Sequence, residues 1–114
     1  MPDDCLICSI VAGDIPADVV HRTATTVAFR DVAPQAPTHV LVVPHRHEPN
    51  AAALAAAEPD VLVDMVRAAA AVAEQEGLAD GYRLVFNTGP DAHQTVFHVH
   101  LHVLGGRSMG WPPG

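Results

Sequence analysis

The sequence of 114 residues contains no lysine, and its six basic side chains are arginines that do not form a cluster. With 13 acidic residues, the formal net charge is −7 at pH 7. Proteins that bind long nucleic acids present clustered basic side chains to the phosphate backbone, so we expect no such partner. A single small nucleotide remains open as a ligand, because a few backbone amides, a hydroxyl and an imidazole suffice to hold one phosphate.

Long apolar runs are also missing. The most apolar stretch, residues 61–73, is interrupted by Asp64 and Arg67 and is too short to cross a bilayer. The first ten residues, MPDDCLICSI, begin acidic and lack the basic and apolar regions of a signal peptide. We therefore expect no membrane partner and a cytoplasmic location.

Cysteine is scarce, and the two that occur, Cys5 and Cys8, have C-x-x-C spacing. In a cytoplasmic chain this spacing favours metal binding or redox chemistry over a structural disulfide. The alternative is that both thiols pack in the first helix as small apolar side chains. A thioredoxin-like redox motif fits less well, because the pair does not open a helix after a strand.

The composition, with 49% hydrophobic and 17% charged residues, is typical of one globular domain. Helical spacing predicts a short helix over residues 6–11, capped by Asp3 or Asp4, and a long helix from Pro59 that ends near Gly77. The alanine-rich residues 51–57 are ambiguous. Alternating patterns predict strands over residues 19–22, 27–31, 38–44, 82–87 and 95–104. About five strands with one long and one short helix predict an α+β domain with a mostly antiparallel sheet.

The stretch HVHLHVL, residues 98–104, places three of the eight histidines at every second position. On a strand these imidazoles share one face at spacings of roughly 7 Å, while Val99, Leu101 and Val103 face the core. A rigidly held neutral imidazole can attack phosphorus, bind a metal or carry protons. The alternative is a polar sheet face that happens to be rich in histidine, but three at period two favour a functional role.

This stretch resembles the His-φ-His-φ-His-φ-φ signature of the histidine triad (HIT) family, where φ is hydrophobic. The segments PQAPTHVLVVPHRH, YRLVFNTG and HVHLHVLGGRSMGWPPG are similar to those of its nucleotide-binding branch, in the same order. The resemblance implies one HIT domain over residues 1–114. It also implies a homodimer whose sheets join, with residues 105–114 at the interface and Met109 and Trp111 near the partner's site.

The resemblance implies a hydrolase of the phosphoramidase type. The middle histidine of the triad, His100 by position, would attack the α-phosphate of a purine nucleotide of the AMP or GMP type, and water would then release the monophosphate. Suitable substrates would be purine nucleoside 5′-phosphoramidates or related adenylates. Three alternatives stay open: a dinucleoside polyphosphate hydrolase, a non-catalytic nucleotide-binding scaffold dimer, and a metal-handling protein that uses the histidine row itself.

Other catalytic roles follow from the resemblance in the same way. His102 would contact phosphate and help with protonation, and His98 would orient the neighbouring imidazole through a relay that includes His39. The hydroxyl of Thr95 would reach the phosphate or the leaving group.

The nucleotide would be held by further matching positions. Asn87 matches a phosphate-contacting amide, and Asp31 matches the acidic residue that holds the ribose hydroxyls, a task for which a carboxylate is suited. His93 departs from the family pattern, since this position is often a glycine whose N–H lies near the phosphate. A bulky residue still offers that amide if its φ is negative. We count His93 and Gln94 among the nucleotide-binding candidates and expect an altered leaving-group side.

Many bacterial members of the family hold zinc with an amino-terminal C-x-x-C, a later histidine and the first triad histidine. The matching positions here are Cys5, Cys8, His47 and His98. Four nitrogen and sulfur ligands are what a structural zinc site requires. The resemblance thus implies structural zinc, no organic cofactor, and a nucleophile that remains free of metal.

Overall fold

Five antiparallel strands form one sheet in the computed structural model, which describes residues 4–114. Their order across the sheet is β1-β2-β3-β5-β4, so β3 and β5 are central neighbours. The predicted α+β fold with an antiparallel sheet is confirmed. In chain order the strands are β1 (Val19–Arg22), β2 (Thr26–Arg30), β3 (Thr38–Pro44), β4 (Tyr82–Val85) and β5 (Leu101–Gly105).

Three α-helices accompany the sheet within residues 4–114, where the sequence predicted one long and one short helix. They are α1 (Leu6–Ala12), α2 (Ala51–Ala57) and α3 (Pro59–Gln75), and a 3₁₀ turn covers Pro90–Ala92. The additional helix is α2, which the alanine-rich sequence left ambiguous. Asn50 caps it by accepting the N–H of Ala53 at 2.9 Å, and Leu54 is its buried anchor.

The amino-terminal helix α1 begins differently from the prediction. Cys5 is its cap, and the thiol sulfur accepts the backbone N–H of Cys8 at 3.2 Å. Asp4 therefore does not cap the helix, and the capping predicted for Asp3 lies outside the described residues. At the other end, Gly13 adopts φ +84° and closes the helix. The capping geometry already brings both cysteines to one end of α1.

Both faces of the central strand β3 are covered. On one face, Val40 and Val42 join Leu101 and Val103 of β5 under the buried stripe of α3. On the other face, Val43 belongs to a cluster formed with α1 and β2. Helices on both sides thus hold the central strands rigidly, which is what a site built on them requires.

The last strand is shorter than predicted. It begins at Leu101 rather than Thr95, because the N–H of Val99 donates to the carbonyl of Glu48 in the loop after β3, at 2.8 Å, instead of joining the ladder. The predicted alternation nevertheless holds, since Val99, Leu101 and Val103 are all buried. Similarly, β4 ends at Val85, two residues early. Among the described residues, no helix has the length and apolar character needed to span a membrane.

Candidate active site and metal centre

The three triad histidines do not act as one row in space. His98 lies in the loop before β5 and is fully buried, with its ring centroid 4.9 Å from that of His47. His100 and His102 are half-buried, with ring centroids 5.1 Å apart. His39 on β3 lies 5.1 Å from His102 by the same measure. The three histidines therefore belong to two groups. His98 lies beside His47, and His100 and His102 lie beside His39.

The hydrogen-bond partner of His39 is His102. The resemblance implied that His98 orients the neighbouring imidazole through a relay that includes His39, and in the structure Nε2 of His39 lies 2.8 Å from Nδ1 of His102. The strand register explains this, because β3 and β5 pair Leu41 with His102 and make His39 a diagonal neighbour on the same face. His98 precedes this ladder and donates from Nε2 to the carbonyl of Pro44 at 3.0 Å instead.

A backbone amide determines which nitrogens of this pair carry hydrogen. The N–H of Gln35 donates to Nδ1 of His39 at 3.0 Å, so that nitrogen is unprotonated and the hydrogen of the neutral ring is on Nε2. His39 therefore donates to Nδ1 of His102, and the hydrogen of His102 must be on its own Nε2. Among the described residues, Nε2 of His102 is the one buried side-chain nitrogen or oxygen without a partner. The chain of donors thus ends in an N–H that lacks an acceptor.

The tautomer of His100 is fixed in the opposite sense. Its Nδ1 lies 2.8 Å from the carbonyl oxygen of His98, which can only accept. The hydrogen is therefore on Nδ1, and Nε2 carries a free lone pair. The ring centroids of His100 and His102 are 5.1 Å apart. The pair therefore combines a nucleophilic nitrogen on His100 with an N–H on His102 that can donate to developing negative charge.

Burial keeps the relay imidazoles neutral. It lowers the pKa of His102 to about 4, with smaller contributions in the same direction from His100 and His39, and the carboxylate of Asp31 opposes the shift. Burial also lowers the pKa of His39, again partly offset by Asp31. At neutral pH each ring therefore has one N–H and one lone pair, as the donor chain requires.

A cavity of about 510 Å³ adjoins this group. Apolar side chains from α1, β2, β3 and the neighbouring loops form most of its wall, and both Asp31 and His100 reach it. An apolar cleft with a carboxylate and a nucleophilic nitrogen on its wall suits a ligand with an aromatic part, hydroxyl groups and an electrophilic centre. The apolar wall residues Ile10, Phe29 and Leu41 carried no signal in the sequence beyond their hydrophobicity.

Of the remaining predicted residues, Asp31 lines this cavity, whereas Thr95 and Asn87 are not among its wall residues. Thr95 is exposed and lines a smaller cleft beside Cys5 and His47. Asn87 is half-buried beyond the end of β4, and no described residue hydrogen-bonds its side chain. Asp31 accepts the N–H of Ala33 through Oδ1 at 2.8 Å and turns Oδ2 towards His39.

The loop before β5 contains the two other candidates. His93 adopts φ +62°, so the condition of a negative φ is not met, and its N–H donates to the carbonyl of Pro90 at 3.0 Å. The exposed side chain of His93 is what it can offer to a ligand. Gln94 is buried and its amide donates to the carbonyls of Pro49 and Val96, so its side chain holds the loop in place.

The four predicted metal ligands converge, with their ligand atoms all within 4.8 Å of one another. Nδ1 of His98 lies 3.4 Å from each cysteine sulfur and 3.1 Å from Nδ1 of His47. A tetrahedral zinc ion requires nitrogen–sulfur separations of about 3.6 Å and nitrogen–nitrogen separations of about 3.3 Å, so the group fits zinc closely. Burial lowers the pKa of His98 to about 4 and leaves its imidazole neutral, as a ligand must be.

A second group, formed by Asp31, His39 and His102, also has its donor atoms close together. The hydrogen on Nε2 of His39 lies between that ring and His102, so the group is a hydrogen-bonded relay. The thiol of Cys8, by contrast, has a pKa raised by burial to about 11, and a bound cation is what would displace its proton.

The fold and the His-x-His-x-His row beside an apolar cavity define a histidine triad protein. The sequence model of the HIT domain matches residues 12–109. A purine nucleoside phosphoramidase of Escherichia coli is 42% identical over 111 residues, which cover 96% of this chain and 93% of that protein. A 14 kDa zinc-binding protein of Zea mays is 47% identical over 108 residues, which cover 92% and 84%.

Solved structures agree with the sequence relatives. A HIT family hydrolase from Legionella pneumophila superposes with a TM-score of 0.93 at 46% identity, covering 97% of this chain and all of that one. The chain therefore belongs to the HIT domain family. Its relatives support a hydrolase, and the converging cysteines and histidines form a possible metal site.

The depressed pKa values of His39 and His102 predict a pH-dependent stability. Both folded-state values lie below the ordinary value of about 6.5, so the unfolded chain binds protons first as the pH falls. The stability contributed by the neutral relay is complete above about pH 6.5 and is lost towards pH 4. The free energy of unfolding in urea should therefore decrease less between pH 7.5 and pH 5 for His102→Asn than for the unsubstituted chain. The Asn side chain keeps an acceptor for His39. The exposed His45→Asn is the control, and an equal decrease in all three proteins would contradict the prediction.

Proposed function

We propose that the chain hydrolyses purine nucleoside 5′-phosphoramidates or related adenylates through a nucleotide bound covalently to His100. The observation that carries this proposal is the opposite protonation of two neighbouring rings. His100 has a free lone pair on Nε2, and His102 has a free N–H on Nε2. The name of the Escherichia coli relative supports the phosphoramidate as the first substrate to test.

In the first step, Nε2 of His100 attacks the phosphorus, and a bond from phosphorus to the imidazole forms as the bond to the leaving amine breaks. The amine takes one proton from solvent and departs as the neutral amine. The ring now carries a positive charge, which strengthens the hydrogen bond from Nδ1 to the carbonyl of His98. The N–H of His102 donates to a phosphate oxygen as negative charge develops there.

In the second step, water attacks the same phosphorus and the bond to His100 breaks. The imidazole recovers its lone pair, the nucleoside monophosphate is released, and one proton passes to solvent. Each step exchanges one bond to phosphorus for another, so the ring ends in the tautomer in which it began. In this proposal both steps use only the protein's own side chains and water.

The cavity beside His100 holds the nucleoside in this proposal. Its apolar wall receives the purine base, and Asp31 accepts hydrogen bonds from the ribose hydroxyls. Thr95 and Asn87 contact the phosphate or the leaving group, and the exposed side chain of His93 borders the leaving-group side. Gln94 contributes by holding the loop that carries these residues.

We further propose structural zinc bound by Cys5, Cys8, His47 and His98. The spacing of the ligand atoms supports it, as does the name of the relative from Zea mays. Bound zinc would supply a rigid cross-link between α1 and the loop that precedes β5.

A homodimer completes the proposal. Tyr82 and Leu84 are exposed on the edge strand β4, and Trp111 is 83% exposed on a tail that packs on little of its own chain. An exposed sheet edge with apolar side chains is a surface for pairing with a second strand. Residues 105–114 would then approach the partner's site.

Replacing His100 with Ala tests the nucleophile. Release of AMP from adenosine 5′-phosphoramidate, followed by chromatography, should fall by roughly 10³-fold or more, because the covalent step is lost. The exposed His45→Ala should keep the full rate. Equal turnover by the His100 variant would contradict the mechanism.

The unsubstituted chain distinguishes the alternative functions. AMP binding without turnover would favour the scaffold alternative, and faster cleavage of diadenosine polyphosphates would favour the dinucleotide hydrolase.

Replacing Cys8 with Ser tests the metal site. Elemental analysis should give about one zinc per chain for the unsubstituted protein, as one four-ligand site implies, and much less for the variant. The melting temperature of the zinc-loaded protein should fall on chelation, whereas that of the variant should hardly respond. Two or more zinc ions per chain would contradict the single site and favour metal handling by the histidine row.

A further inference from the structure

Asp31 lies next to the imidazole relay as well as to the cavity. Its backbone N–H donates to the carbonyl of His39 at 3.0 Å, which fixes the two residues relative to each other. Its Oδ1 is occupied by the N–H of Ala33, and its Oδ2 lies 3.5 Å from Nε2 of His39. The carboxylate is thus held by two backbone contacts in a position that faces a buried ring.

A residue that only held ribose hydroxyls would not need this second contact. The side chain of His39 is 4% exposed and that of Asp31 is 20% exposed, so little water separates the carboxylate from the neutral ring. A carboxylate at this distance acts on a buried N–H much more strongly than it would in water. The N–H concerned is the one that His39 donates to His102.

We propose that Asp31 is a positioning residue for His102, acting through His39, in addition to any contact that it makes with ribose. The proposal deepens the proposed hydrolase function and rests on it for its kinetic consequence. The geometric part concerns the protein alone, since the three side chains are in place without a ligand.

Two physical effects carry the action of Asp31. First, Oδ2 attracts the N–H of His39 and holds the ring in the plane from which it donates to His102. Second, when His102 accepts a proton on Nδ1, the N–H of His39 loses its acceptor, and Oδ2 of Asp31 remains to receive it. The negative charge therefore favours both the oriented relay and its protonated form.

Among the described residues, three titratable groups act on the pKa of His102. Burial lowers this pKa most, and the imidazoles of His100 and His39 lower it further. The carboxylate of Asp31 raises it. Removing the charge of Asp31 should consequently lower the pKa of His102 below its present value of about 4.

Asp31→Asn is a well-matched variant for the test. The side-chain oxygen of Asn still accepts the N–H of Ala33, so the turn after β2 is kept while the charge is removed. Asp14→Asn, in the exposed turn after α1, is the control for loss of one negative charge.

The kinetic experiment compares two substrates, adenosine 5′-phosphoramidate and its 2′,3′-dideoxy analogue, which has no ribose hydroxyls. The proposal predicts that Asp31→Asn lowers kcat on the dideoxy substrate by about tenfold, because the relay no longer holds the donor N–H of His102 in place. A residue that acts only on ribose would make no difference to the dideoxy substrate.

The second experiment needs no turnover. Titration of the His102 ring by ¹⁵N NMR should give a lower pKa in Asp31→Asn than in the unsubstituted chain and in Asp14→Asn. An unchanged pKa, or a loss of kcat that vanishes on the dideoxy substrate, would overturn the proposal. If the unsubstituted chain turned over neither substrate, the proposed function would fail, and the NMR titration alone would decide the role of Asp31.

Discussion

The hydrogen bond from the backbone N–H of Gln35 to Nδ1 of His39 is the constraint on which the site depends. An amide can only donate, so it fixes the hydrogen of His39 on Nε2 and, through that ring, the hydrogen of His102. The carbonyl of His98 fixes His100 in the opposite sense. Two backbone groups, the N–H of Gln35 and the carbonyl of His98, thus fix the tautomers of three rings. His39 and His102 become donors through Nε2, and His100 keeps a nucleophilic lone pair.

His98 belongs to the group of metal-type ligands and also contacts the nucleophile His100. Its ring completes the group of four metal-type ligands, and its carbonyl orients the ring of His100. Cys5 and Cys8 of the same group stand at the start of α1, whose apolar side chains form part of the wall of the cavity. The position of one buried histidine therefore affects the metal group, the nucleophile and the ligand cavity together.

Sequence patterns predicted those parts that depend on local periodicity. The existence of the five strands, the long helix α3 and the inward alternation of Val99, Leu101 and Val103 are confirmed, because period and burial follow directly from chain geometry. Helix α2 was missed as a definite element, since a run of alanine has no amphipathic pattern. The start of β5 was predicted wrongly and the pairing of His39 with His102 was not predicted, because each depends on a long-range backbone contact or strand register that no local pattern encodes.

The most direct test of this account is to observe the ring hydrogens. Long-range ¹H–¹⁵N correlation NMR at pH 7.5 distinguishes a protonated ring nitrogen from one with a lone pair. The account predicts hydrogen on Nε2 of His39 and His102 and on Nδ1 of His100. Hydrogen on Nε2 of His100, or on Nδ1 of His102, would contradict it.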